Sequence, residues 1–133
     1  MRKDIVISNI VCHFKSSAAV PRMYRLLFRR DLFLDMSRLA DEMEEHERIE
    51  AERKEKLEAE GKTYYKSSSL PISSLETFEN IAYVMHKHGD PEQPKDIDEW
   101  LEQFETFDIY EILPQILDMW KKENYQESTP KKD

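Results

Sequence analysis

The 133-residue chain has two glycines and one cysteine, and not one lysine or arginine between Asp96 and Trp120. It also lacks any run of about 18 consecutive apolar residues, the length a membrane-spanning helix needs. Each shortage excludes something. So few glycines beside six prolines leave an all-β sandwich without the turn residues it requires, and the Leu, Glu, Lys and Met content favours helices. A lone Cys12 rules out an intrachain disulfide and a multi-cysteine zinc site, and it suits a reducing cytoplasm. No long apolar stretch follows the N-terminal charges, so a signal peptide is not expected, and the expectation is a soluble, intracellular protein. Residues 70–120 carry only Lys87 and Lys95 against twelve acids, whereas residues 1–30 carry seven bases and one acid. With a net charge of -8 the chain repels phosphate, and only its basic N-terminal stretch keeps nucleic acid open as a partner.

What is present points to a mainly α protein. Hydrophobic residues make up 39% and charged residues 36%, enough apolar material for one core with a solvated segment outside it. The expected architecture is a single helical domain over residues 1–120, with a β-hairpin over 1–15, a charged helix extension and linker over 44–70, and a flexible polar tail over 121–133. Ile5–Ile7 and Ile10–Phe14 are β-branched runs around the turn pair Ser8-Asn9. Ser16 or Ser17 can cap a helix that carries Pro21 in its first turn and runs to about Arg29. On it Met23, Leu26 and Leu27 share a face, while Arg22, Arg25, Arg29 and Arg30 line the rest.

Asp31 caps the next helix, whose Leu32, Met36, Leu39, Ala40 and Met43 recur at spacings of three or four. Beyond Met43 the stripe fades, and Glu44/Arg48, Glu50/Lys54 and Glu52/Lys56 suggest a solvated helix that projects until Gly61. The linker "GKTYYKSSSLPISS" leaves open whether Tyr64-Tyr65 docks on the domain or on a partner. Ser73 or Ser74 then caps a helix with Leu75, Phe78, Ile81, Ala82 and Met85 inward, ending near Gly89. After a loop held by Pro91 and Pro94, Asp96 caps a short helix and Asp108 starts the last one, which Pro114 kinks or restarts.

No arrangement of residues carries chemistry. His86 and His88 are two apart, not the spacing of two ligands on one helix face, and Cys12 and His13 point to opposite sides of a strand. "DIDEW" lacks the glycine turn of a calcium loop, and its acids suit a helix N-terminus. No enzyme, metal or cofactor is expected. Between Asp96 and Trp120 thirteen apolar or aromatic residues lie among eight acids. The plain reading of Ile97, Leu101, Ile112, Leu113 and Ile116 is core. Trp100, Phe104, Phe107, Tyr110 and Trp120 are more aromatic surface than a short helical hairpin needs, and they are the candidate partner-binding residues. Acids around them would discourage self-association while admitting an oppositely charged client.

"SSAAVPRMYRLLFRRDLFLDMSRL" and "LETFENIAYVMHKHGDPEQPKDIDEWLEQFETFDIYEILPQILDMW" resemble the tail assembly chaperones of long-tailed phages and prophages of Gram-positive bacteria. The most specific parts are "AVPRMYRLLFRRDLF", "AYVM" and "DIDEWLEQFETFDIYEIL"; the charged Glu44–Lys62 stretch falls outside. Members often have Gly where this chain has Arg29, so the turn there is expected to differ. The resemblance implies a non-enzymatic siphovirus protein of the bacterial host cytoplasm, absent from the mature virion. It would bind the major tail tube protein and the tape measure protein, with no membrane or nucleic-acid partner and with self-association left open. Many relatives also occur as a longer form made by a programmed translational frameshift, which the "TPKKD" ending suits. The alternatives are a DNA-associated phage regulator using Arg22, Arg25, Arg29 and Arg30, and a head–tail structural component of the virion.

Overall fold

A computed structural model describes residues 1–65 and 70–125, with side chains to Lys121. It is mainly helical, with a two-stranded N-terminal sheet. Strands β1 (Arg2–Ile7) and β2 (Ile10–Lys15) pair antiparallel with Ile7 opposite Ile10. Ser8 and Asn9 have φ of 50° and 66°, as a two-residue turn matched to strand twist requires. Strand alternation sends Ile5, Ile7, Cys12 and Phe14 into the core and leaves Val6 and Val11, paired across the strands, exposed on the outer face.

Helix α1 (Val20–Phe28) has Pro21 in its first turn, where a missing N–H costs nothing. Neither Ser16 nor Ser17 is its N-cap: Ala19 holds that position, and the Ser17 hydroxyl instead accepts from the Ala19 N–H at 3.2 Å and pairs with His88 Nε2 at 2.8 Å. Helix α2 (Leu32–Ala59) starts at Asp31, whose carboxylate accepts from the N–H groups of Phe33 and Leu34. Leu32, Met36, Leu39 and Met43 are buried, as their spacing requires.

The projecting helix begins later than expected. His46 and Glu50 are buried, His46 stacking on Tyr110 with ring centroids 4.5 Å apart. Tyr64 folds back onto α2: its hydroxyl donates to Glu50 at 3.0 Å and its ring lies under the Arg53 guanidinium. That return is made by Gly61, whose φ of +73° lets the Lys62 N–H reach the Leu57 carbonyl at 2.8 Å. Arg48 pairs with Glu45 and Glu52, and Arg53 with Glu50. Of the expected pairs, Glu44/Arg48, Glu50/Lys54 and Glu52/Lys56, none forms among the described residues.

Helix α3 (Ile72–Gly89) starts after Pro71, so Ser73 and Ser74 sit inside its first turn instead of capping it. Its six consecutive residues Ile81–His86 are all buried, which makes it the central helix rather than one with a single inward stripe. It packs against β2, α1, α2, the short α4 (Ile97–Leu101) and α5 (Ile109–Tyr125). Gly89 permits the approach of α3 to β2, since a Cβ there would lie 2.1 Å from the His13 carbonyl oxygen. Helix α5 opens with the Asp108 carboxylate accepting from the Tyr110 N–H at 2.9 Å. It runs through Pro114 without interruption and extends into the segment read as polar tail. Residues 66–69 of the linker and residues 126–133 of the tail, with the "TPKKD" ending, lie outside the described residues.

Candidate interaction surface

The five aromatic residues expected to face a partner lie in or against the core. Trp100 is fully buried, Phe104 and Trp120 are buried, and Phe107 and Tyr110 are half-buried. Trp100 meets the rings of Tyr83, Phe104 and Phe107 at 5.3–5.4 Å, while Phe107 packs on Phe78 at 4.9 Å. The Trp100 indole donates to His86 Nδ1 at 2.8 Å. Tyr110 and Trp120 sit apart from that cluster, on His46 and on Phe33 respectively. The expectation of an accessible aromatic face is thereby corrected. Asp98, Glu99, Glu102, Glu105, Asp108, Glu111 and Asp118 are exposed around these rings, so the acids form the wet side of helices whose apolar side is occupied.

Large apolar side chains reach solvent elsewhere, at the corner between α1 and α2. Val20 and Tyr24 are the buried residues of α1, with Met23 and Phe28 against the core. One helix cannot bury every side of a run such as Leu26-Leu27-Phe28, and Leu26 and Leu27 remain 56% and 52% exposed. The same holds for Leu32-Phe33-Leu34: Leu32 turns inward, while Phe33 and Leu34 are 52% and 64% exposed. Phe33 rests one face on Trp120, with centroids 5.1 Å apart. The earlier grouping of Met23, Leu26 and Leu27 described an outer surface as much as a core face. The signal that locates it is the pair of three-residue apolar runs, each bracketed by arginine or aspartate.

The turn joining the two helices is rigidly made. Arg29 has φ 58°, and its N–H donates to the Arg25 carbonyl at 2.9 Å. This left-handed conformation is one glycine adopts without strain and arginine adopts at a cost. Arg30 then grips the buried Asp35 with two hydrogen bonds of 2.7 Å, and the Tyr24 hydroxyl donates to the same carboxylate at 2.6 Å. Burial disfavours the charged carboxylate, but the hydrogen bonds from Arg30 and Tyr24 outweigh it and hold the Asp35 pKa below its ordinary value. Burial and the neighbouring carboxylate together push the Tyr24 hydroxyl pKa upward.

Arg30 is thus committed to the fold. Arg22, Arg25 and Arg29 are exposed, and they take part in no ion pair among the described residues. Arg25, Arg29, Arg30 and Phe33 line a groove of about 420 Å³ with Pro21, Asp31 and Leu32. Of the exposed apolar side chains only Phe33 lines this groove; Leu26, Leu27 and Leu34 are exposed outside it, and Leu27 lies on the opposite side of α1 from Arg25 and Arg29. A smaller apolar surface, Val6, Ile10 and Val11, lies on the outer face of the hairpin.

Other titratable groups serve packing. The Cys12 thiol, buried beneath the hairpin, is pushed up to about 11 and stays protonated at neutral pH. His86 stacks parallel on Phe14 at 5.3 Å, and burial lowers its pKa to about 4. Among the described residues no group of three or more His, Cys, Asp or Glu side chains could hold a metal ion, and no helix is long and apolar enough to cross a membrane. No known protein family, curated protein or solved structure matches this chain.

Proposed function

We propose that this protein is a non-enzymatic phage tail assembly chaperone, binding the major tail tube protein and the tape measure protein in the bacterial cytoplasm during tail morphogenesis. One observation carries the reading: Leu26, Leu27 and Phe33 are exposed within "AVPRMYRLLFRRDLF", one of the stretches most specific to the resemblance, and Leu34 is exposed directly after it. A holding chaperone needs an apolar surface on a domain whose own core is complete, so that a client can be covered and released without unfolding its carrier. Polymerising subunits must display sticky edges before assembly, and masking them reversibly is the task such a surface suits. The exposed acids of α4 and α5 supply like-charge repulsion between copies, which keeps an apolar carrier dispersed.

A second reading, a DNA-associated regulator, draws on Arg22, Arg25 and Arg29. The net charge of -8 opposes phosphate binding. Affinity capture of the tagged protein from prophage-induced cells, with mass spectrometry of the captured proteins and of purified particles, separates the readings. Tail tube or tape measure protein in the capture, with the bait missing from particles, supports the chaperone. Bait retained in particles indicates a virion component, and DNA captured with a steep salt dependence indicates the regulator.

A further inference from the structure

We infer that the cavity between α2 and α3 binds a primary ammonium group, with the Glu42 carboxylate as its counter-charge and the Ser74 hydroxyl as a second acceptor. The inference is drawn from this cavity alone; it goes beyond the chaperone reading and does not depend on it.

The cavity has a volume of about 310 Å³ and is lined by Arg38, Leu39 and Glu42 of α2 and by Ser74, Glu76 and Thr77 of α3. Two polar atoms of this lining are left without a match. Ser74 is 3% exposed, and its hydroxyl has no hydrogen-bond partner. The buried Oε2 of Glu42 has none either. A serine inside a helix commonly returns its hydroxyl to a carbonyl one turn back, and a buried polar atom left unmatched costs stability. The two atoms therefore point to a hydrogen-bond donor that enters from outside the chain.

Charge decides what kind of donor. Arg30 and Asp35 also line the cavity, but they are committed to each other through two hydrogen bonds of 2.7 Å. Arg38 leans toward the same Asp35 at 3.9 Å. Arg38 and Glu42 are four residues apart on one helix, yet the base precedes the acid, the weaker order for such a pair. Neither Glu42 nor Glu76 takes part in an ion pair among the described residues. An anion would meet both carboxylates and leave the Glu42 Oε2 atom without a donor. Water can donate to both unmatched atoms, but it leaves the Glu42 charge uncompensated.

An ammonium group brings three donors and the missing positive charge on a single atom. Its compact, rotatable donors suit acceptors that stand on two different helices, whereas the flat fork of a guanidinium suits both oxygens of one carboxylate. Leu39 gives the carbon stem an apolar wall. A lysine side chain of a bound polypeptide and a free alkylamine carry this same group.

The test follows the amide signals of Ser74 and Thr77 by NMR while the full-length protein is titrated at constant ionic strength. The probes are N-acetyl-lysine methylamide, the norleucine analogue that keeps the stem and lacks the ammonium, 1,4-diaminobutane, and butyrate. The lysine and diamine probes should give saturable shifts, and norleucine and butyrate should give none. Glu42→Gln should weaken lysine binding at least about tenfold, and Ser74→Ala about three- to tenfold. Ser74→Ala should leave Tm unchanged or raised, because it removes an unmatched buried hydroxyl; a residue needed only for the fold would lower it. A diamine that binds more tightly than the lysine probe assigns the site to free amines, and the reverse order assigns it to a polypeptide lysine; the inference stands in both cases. No saturable shift up to about 50 mM, equal binding of lysine and norleucine, tighter binding of butyrate, or unchanged lysine binding in both variants would overturn it.

Discussion

His86 makes the protein's stability depend on pH in a window that ordinary carboxylates do not share. The imidazole is buried, stacked on Phe14, and its Nδ1 accepts the Trp100 indole N–H at 2.8 Å. Protonating Nδ1 would replace that acceptor with a second donor facing the indole N–H in a buried site. Burial lowers the folded pKa to about 4; Asp90 favours the charged form and His13 opposes it. In the unfolded chain the group titrates near its ordinary value of about 6.5. Between these values the unfolded state binds more protons, so stability falls as pH falls. From pH 7.5 to 4.5 the loss is about 2.5 kcal/mol, at roughly 1.4 kcal/mol per unit of separation. Urea unfolding followed by tryptophan fluorescence reads it directly, because both Trp100 and Trp120 are buried. The comparison is His86→Asn, whose amide oxygen can accept the indole N–H but cannot titrate. The variant should start less stable, having lost the ring stack, yet show a shallower decline over this window. Parallel declines in the two proteins would refute the assignment of the window to His86.

Asp35→Ala leaves Arg30 and the Tyr24 hydroxyl without their shared acceptor and should cost about 3 kcal/mol in the same urea assay. Because the Asp35 carboxyl is held below its ordinary pKa, its stabilising contribution is complete above about pH 4 and fades only below that, after the His86 window has passed. Arg29→Gly relieves the left-handed residue at φ 58° and should raise stability by about 0.5–1 kcal/mol, read as an upward shift in Tm. Gly89→Ala places a Cβ 2.1 Å from the His13 carbonyl oxygen. It should destabilise by about 2–3 kcal/mol and perturb the amide signals of His13 and Phe14 more than those of α2.

Much of the fold was legible because its signals are local. Ser8-Asn9 between β-branched runs can make only a tight turn, Asp31 before an apolar stripe is an N-cap, and Gly61 after a charged run is a stop. Where two local signals competed, packing chose between them. Ser73 and Ser74 are good caps in isolation, yet α3 begins at Ile72. Pro114 ends most helices, but α5 continues through it because its first turns are held by the Asp108 cap and a buried apolar face.

The candidate surface was the least legible part. Periodicity says which residues share a face; it does not say which face finds a neighbour. Trp100, Phe104 and Trp120 resembled a partner site by their size, and became core because α3 brought Tyr83, His86 and Phe78 against the α4 region while α2 brought Phe33 to Trp120. Leu26 and Leu27 shared a helix face with Met23 by their spacing, and became surface because Val20 and Tyr24 had already claimed the inward positions. By itself, the sequence determined the helical class, the hairpin, the Asp31 cap and the separation of basic from acidic halves, all of which depend on residues near one another in the chain. The tertiary structure decided which apolar residues are buried, which arginines are spent and which histidine is shut away from its proton, because burial depends on neighbours distant in sequence.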